Sequence, residues 1–268
     1  MPDMTTTLRE THRRDAALLE QIEDNAGRTF ALREARAAAQ VSSADVRRLL
    51  RSGWLRRVGR GHFTIASRPM VASDDRLRLA TALYAAEPHY ISWWAALSYH
   101  GLTEQDPLHI SVAVTRRHRD RRVGPLRIHP VIQSHGRFYG QEARKTDLGG
   151  ELWIASPEKA IIDSLDRPDL GGGLREVVKT LGTTGYDPAR LGALARRHPS
   201  EALVARLGYL LTVLDSPVRD DLLDLVRRRR PPVRLDIESG PGGVAIVDST
   251  WRVLDTIGPD AIRAWARL

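Results

Sequence analysis

The sequence predicts an α+β protein: an N-terminal winged helix-turn-helix followed by a larger mixed α/β domain whose C-terminal part is helical. Three observations carry this. Helical patterns and then a hairpin pattern succeed one another within residues 1–66. Period-two runs then alternate with helical ones between about 74 and 166. Residues 173–229 read as mostly helical, broken at Gly185, His198-Pro199 and Ser216-Pro217. The expected domains are 1–68 and 72–268, on either side of the connector SRPMVAS at 67–73.

Each element has its own signal. Leu18, Leu19 and Ile22 fall on one side of a helix over 8–26, and Gly27 suits its end. A short second helix is expected at about 30–39, where Phe30, Leu32, Ala35 and Ala39 recur at helical spacing. Ser42 with Asp45 has the form of a capping box opening a third helix, and Gly53 is placed to end it. WLRRV and HFTIA then read as short strands joined by the turn GRG. Further helices are expected at about 74–87 and 91–100, and strands at 108–115, 125–132 and 150–155. Ser156 as cap and Pro157 in the first turn open the next helix. Beyond Pro231-Pro232, VRLDI and GVAIVDS alternate like strands around a GPGG turn.

Composition narrows the function. The 268 residues carry a formal charge of +8, with 42% hydrophobic and 28% charged residues, so the chain reads as globular with an acidic partner. Lys145, Lys159 and Lys179 are the only lysines among 41 basic residues. Arginine's forked donors grip phosphate in a bidentate way, although a coding bias would produce the same excess. There are no cysteines, hence no disulfides or thiolate metal sites. The N-terminus lacks the apolar core of a signal peptide, and no apolar run approaches the ~18 residues of a membrane span. A soluble, cytoplasmic protein is expected.

The charge concentrates in SSADVRRLLRSGWLRRVGRGHFTI at 42–65, which holds six arginines. On a helical wheel Val46, Leu49 and Leu50 form the buried stripe. Ala44, Arg47, Arg48 and Arg51 fall together on the opposite arc, which carries no acid. The second helix of a helix-turn-helix enters the major groove with its N-terminal residues nearest the bases. Ser42 would cap that helix there. Ser43, Ala44 and Arg47 would then face bases, with Arg48 and Arg51 toward bases or phosphates. In the wing, Trp54, Phe63 and Ile65 would pack inward, leaving Arg56, Arg57, Arg60 and His62 for the DNA backbone or minor groove. The bland counterpart is a basic winged helix that contacts only protein.

Four strings in order then resemble a known family. GWLRRVGRGHFTI, YISWWAALSYHGLTEQ, IASPEKAIIDSLDRPDLGGGLREV and ARLGYLLTVL are similar to the transcriptional-regulator antitoxins of the AbiEi type, over about residues 28–215. The resemblance implies a type IV antitoxin that represses its own operon by binding promoter repeats. It also implies opposition to a toxin of the nucleotidyltransferase fold, whether or not the two proteins touch. By position, the family's reading helix and wing map onto 43–52 and 54–65, and Tyr90–Gly101 and Ser156–Asp163 belong to packing of the second domain. His62-Phe63 departs from the family pattern, where an aliphatic residue and tyrosine are more usual. Two alternatives stand beside this reading: a winged-helix transcription factor with a ligand-binding second domain, and an antitoxin that binds only protein.

Enzymatic motifs are missing. A nuclease core needs a carboxylate two residues before a lysine, and Ala143, Pro157 and Val177 occupy those places. No P-loop, G-x-S-x-G or H-E-x-x-H occurs. His129 and His135 would need a third ligand to hold a metal, and Asp221 with Asp224, or Asp236 with Glu238, read as solvated or salt-bridged. No catalysis, cofactor or metal is expected. Arg116, Arg117, Arg119, Arg121 and Arg122 form a second basic cluster, read as a solvated hairpin loop or as a surface for phosphate or an acidic partner. RRRRPP at 227–232 invites the same two readings. Trp93 and Trp94 cannot share a helix face, so one is expected in the core and the other at a domain junction or partner surface.

Overall fold

The computed structural model describes residues 4–66, 73–123, 125–146, 151–226, 231–236 and 245–268. The expected connector up to residue 72, the 227–230 arginine run, Glu238 and the 240–243 turn lie outside them. The chain forms two compact units, Met1–His89 with Ala143–Trp153, and Tyr90–Glu142 with Ile154–Leu268.

The first unit is the winged helix-turn-helix. Its elements are α1 (Met4–Ala26), β1 (Thr29–Ala31), α2 (Leu32–Ala39), α3 (Ser43–Arg51), β2 (Leu55–Gly59), β3 (His62–Ile65) and α4 (Ser73–Tyr84). Gly27 ends α1 and Gly53 follows α3, each with the positive φ that glycine tolerates (73° and 76°). Ile22, Phe30, Ala35, Val46, Leu49, Phe63 and Ile65 form one buried cluster, against which Leu18, Leu50 and Trp54 are partly buried.

Two differences from the sequence reading matter here. Phe30 belongs to a strand rather than to the second helix: β1 pairs antiparallel with β3, Phe30 opposite Phe63. Thr29 and Phe30 suit a strand, and the helix starts where Glu34 can accept from the Ala31 N–H at 2.8 Å. The unit also runs past residues 68–72. The α4 helix packs on all three strands, and an added Cβ at Gly59 would lie 2.3 Å from the Ala82 carbonyl oxygen. That close approach requires glycine in the wing.

The second unit is the larger mixed α/β domain. Its strands are β4 (His89–Ser92) from Tyr90 on, β5 (His109–Val114), β6 (Arg121–Val123), β7 (Leu126–Ile132), and the parts of β8 (Gln141–Lys145) and β9 (Glu151–Ala155) that fall at 141–142 and 154–155, ordered β6-β7-β5-β4-β9-β8. The β5–β7 and β4–β9 pairs are parallel, and β6–β7 is an antiparallel hairpin. Around them come α5 (Trp93–Tyr99), α6 (Pro157–Asp166), α7 (Leu174–Leu181), α8 (Pro188–Arg196) and α9 (Glu201–Val213). The short α10 (Leu223–Val226), β10 (Val233–Arg234), β11 (Ile246–Asp248), β12 (Val253–Asp255) and α11 (Pro259–Trp265) complete the chain. Gly208 leaves α9 flat for Trp251, whose ring would lie 2.1 Å from an added Cβ. The Trp251 Nε1–H then reaches Thr212 Oγ1 at 2.7 Å.

The region expected as a helix at 91–100 starts as a strand, because Tyr90 and Ile91 are fully buried between neighbours before the helix begins at Trp93. Trp93 is the core tryptophan, and Trp94 lies over Gly172 within the same unit.

Candidate nucleic-acid interface

The α3 helix begins with the expected cap. Ser42 is extended (φ −82°, ψ 161°), its Oγ accepts from Asp45 N, and the Asp45 carboxylate accepts from Ser42 N at 3.1 Å. The Ser42 hydroxyl, then its N–H and Arg48, hold the Asp45 carboxyl below its ordinary range. Ala44, Arg47 and Arg51 are exposed while Val46 and Leu49 are buried, as the wheel has them; Leu50 is only partly buried, and Ser42 and Ser43 are exposed at the cap. Arg47 Nε donates to the Ser43 carbonyl one turn back (3.2 Å), and Arg51 lies one turn ahead on the same side.

Arg48 is different. Its Nε donates to Asp15 on α1 at 2.8 Å, and its Nη1 lies 2.8 Å from Asp45. Asp15, then Asp45, hold its guanidinium above its ordinary range. Arg48 is thus engaged by two carboxylates of its own fold, which leaves Arg47 and Arg51 as the arginines of that arc with no ion pair among the described residues. The structure adds Arg36, an exposed residue of α2 whose Nη2 donates to Ser43 Oγ at 2.5 Å. Sequence reasoning passed it over because it precedes the helix turn, although a cation one turn before the α2 end was the available signal.

The wing does not present one cationic row. Arg56 stands opposite Thr64 and Arg57 opposite Phe63, and neighbours on a strand leave on opposite faces. Both are exposed, and the Arg57 guanidinium lies 5.6 Å from the Phe63 ring centroid. Past an irregularity at Val58, the turn carries exposed Arg60, whose carbonyl lies 3.0 Å from Nδ1 of the half-buried His62.

In the second unit, Arg116, Arg117 and Arg119 lie on an exposed loop, and Arg121 and Arg122 start the edge strand β6. These five are therefore not all in a hairpin loop: β6 pairs with β7 because Arg121–Val123 face Leu126–Ile128. Beside them His129 contacts Asp120 at 2.8 Å and stacks edge-on to His109. Among the described residues no three His, Asp or Glu side chains are grouped to hold a metal.

A family model for the AbiEi antitoxin transcriptional regulator matches residues 18–66, and one for the AbiEi antitoxin C-terminal domain matches residues 90–213. The chain belongs to the AbiEi antitoxin family. The regulator match runs from the C-terminal part of α1 through the wing, and so contains Arg36, Arg47 and Arg51. A crystal structure, that of the RV2827C protein from Mycobacterium tuberculosis, shares the fold with a TM-score of 0.59 at 16% identity, covering 96% of this chain and 93% of that one. A comparison with curated proteins found no match.

Within the AbiEi C-terminal match the SPEKAIIDSL segment is buried rather than displayed. Ser156 caps α6 by accepting from Lys159 N, and Lys159 Nζ donates to Asp163 Oδ1 at 2.6 Å. Ser92 Oγ donates to the other Asp163 oxygen at 2.6 Å, and the Tyr139 ring lies 4.4 Å from Lys159 Nζ. Burial pushes the Asp163 carboxyl up against the pull of Lys159. Such a network orders the interior of the domain and displays no reactive atom to solvent. No helix among the described residues is long and apolar enough to cross a membrane.

Proposed function

We propose that this AbiEi protein is a non-enzymatic, DNA-binding antitoxin of the cytoplasm. It represses its own toxin–antitoxin operon by binding promoter repeats, and counteracts a cognate nucleotidyltransferase-fold toxin of type IV kind. The observation that carries the DNA half is the exposed face of α3: Ser43, Ala44, Arg47 and Arg51 beside Arg36, in the unit that matches a transcriptional-regulator family. A capped helix of this kind seats its first turn at base edges, where Arg47 takes guanine O6 and N7. Arg36, Arg51 and the exposed wing arginines Arg56, Arg57 and Arg60 neutralise phosphates. The toxin half rests on the family of the second unit. Arg116, Arg117, Arg119, Arg121 and Arg122 give that unit a surface for acidic groups on the toxin or its RNA substrate.

Footprinting on the DNA upstream of its own gene tests the reading. Protection of repeated sites, lost on Arg47→Ala, supports it; uniform protection of unrelated DNA counts against it.

A further inference from the structure

The first unit holds a cleft of about 370 Å³ that DNA binding does not account for. The wing turn, the start of α2, the end of α4 and residues 151–153 line it. Its volume lies in the range in which proteins hold small organic ligands, of order 300–1,000 Å³.

Two nearly buried side chains of its lining carry polar atoms without a hydrogen-bond partner: Thr81 Oγ1 and His89 Nε2. Leaving such an atom unmet costs the desolvation of the buried group with nothing in return. A ligand that meets both recovers that cost. The His89 ring dictates the chemistry. Its Nδ1 lies 2.8 Å from the Glu87 carbonyl oxygen, which can only accept, so Nδ1 carries the proton. Burial pushes the imidazole pKa down, which keeps the ring neutral near pH 7. Nε2 therefore offers a lone pair, and its partner must bring a donor, for which an N–H carried by a flat ring serves.

The rest of the lining supplies an aromatic face and cations. Trp153 is 39% exposed and gives a flat ring something to stack on. Arg33 and Arg60 are exposed, and neither forms an ion pair among the described residues. Glu34 is occupied, since it accepts from Ala31 N and Arg78 Nη2, so Glu151 is the one lining carboxylate left to set against the two arginines.

We propose that this cleft binds a small organic anion built on a flat, N–H-bearing ring. Two sources share that chemistry, a nucleoside monophosphate and an aminoaromatic carboxylate. In either, the ring lies on Trp153 and donates to His89 Nε2, while the anionic group meets Arg33 and Arg60. Because Arg60 also belongs to the wing, the bound anion competes with a DNA phosphate for it. Ligand and DNA then weaken each other by the same factor. That coupling rests on the proposed DNA binding; occupation of the cleft does not.

Isothermal titration of the full-length protein, without DNA, is the test. The probes are AMP, GMP, 2-aminobenzoate and inorganic phosphate. At least one ring-bearing anion should bind about tenfold or more tightly than phosphate, consistent with a stacking contribution of ~1–3 kcal/mol. Which one binds identifies the source. Trp153→Ala and Arg33→Glu should each weaken it about tenfold with thermal melts unchanged, since both side chains are exposed and a glutamate suits the first turn of α2. No heat from any ring-bearing probe at millimolar concentration, or equal affinity in wild type and both variants, would overturn the site. A ligand that binds yet leaves DNA affinity unchanged keeps the site and overturns the coupling. Loss of DNA binding altogether would count against the proposed function and leave the titration standing.

Discussion

Arg48 Nε donates to Asp15 Oδ1 at 2.8 Å, joining α3 to α1 across 33 residues of sequence. The Asp15 side chain is only 3% exposed, whereas Arg48 keeps 30% of its surface. Removing the arginine strands a buried carboxylate. Arg48→Ala should therefore lower the stability of the first unit by about 1–3 kcal/mol, read from urea melts. Its effect on DNA should vanish once the folded fraction is corrected for. A stable Arg48→Ala protein with reduced DNA affinity would return Arg48 to the reading face.

Arg47 has no such acidic partner among the described residues: its Nε donates to a carbonyl of its own helix. Arg47→Ala should leave the melt unchanged, cost about 1–3 kcal/mol on the operator and relax preference at one base pair. Arg51→Ala should weaken all sequences alike. Binding competition against single-base operator variants separates the two. Wild-type affinity should also fall roughly 100-fold between about 50 and 200 mM salt if about four phosphates are neutralised. A flat salt response would show that the cations are not on phosphate.

The helices and caps of the first unit were legible because each signal is local. Ser42, Asp45 and Gly53 act within one turn of their own helix, and Val46 and Leu49 declare the buried side by period alone. Strand β1 was hidden: three residues directly before a helix fit the helical period, and only pairing with Phe63 reveals them. The role of Arg48 was hidden for a related reason. A wheel gives the side on which a residue leaves its helix, and says nothing of an aspartate on another. The cleft beside the wing was beyond reach, since Arg33, Arg60, Thr81, His89 and Trp153 come from five separate elements.

His198 predicts an acid sensitivity in the second unit. Burial pushes its imidazole pKa down from 6.5 to about 4. The unfolded chain takes up the proton near pH 6.5 and the folded one only near 4. Its contribution is thus whole above about pH 6.5 and is lost as pH falls toward 4. His198 Nδ1 accepts from Ser200 N at 3.2 Å, a role an asparagine oxygen can fill. The urea midpoint of His198→Asn should fall less between pH 7 and pH 4.5 than that of wild type. Parallel declines would remove His198 as the cause.

The two proposed activities should separate by unit. Arg47 and Arg51 are exposed on α3, and among the described residues no hydrogen bond or ion pair ties either to another element, so Ala at both leaves the fold intact. Arg48 must stay, because its loss would destabilise the same unit and confuse the result. The family match of the second unit spans residues 90–213 and is untouched by the change. A full-length chain carrying Arg47→Ala and Arg51→Ala should therefore release a reporter fused to its promoter, by about tenfold or more if the pair contributes ~1.4 kcal/mol or more on the operator. Supplied from an unrelated promoter at matched protein level, it should still rescue cells from the cognate toxin. Rescue and repression lost together would mean that neutralisation runs through DNA binding, and the second unit would then need another role.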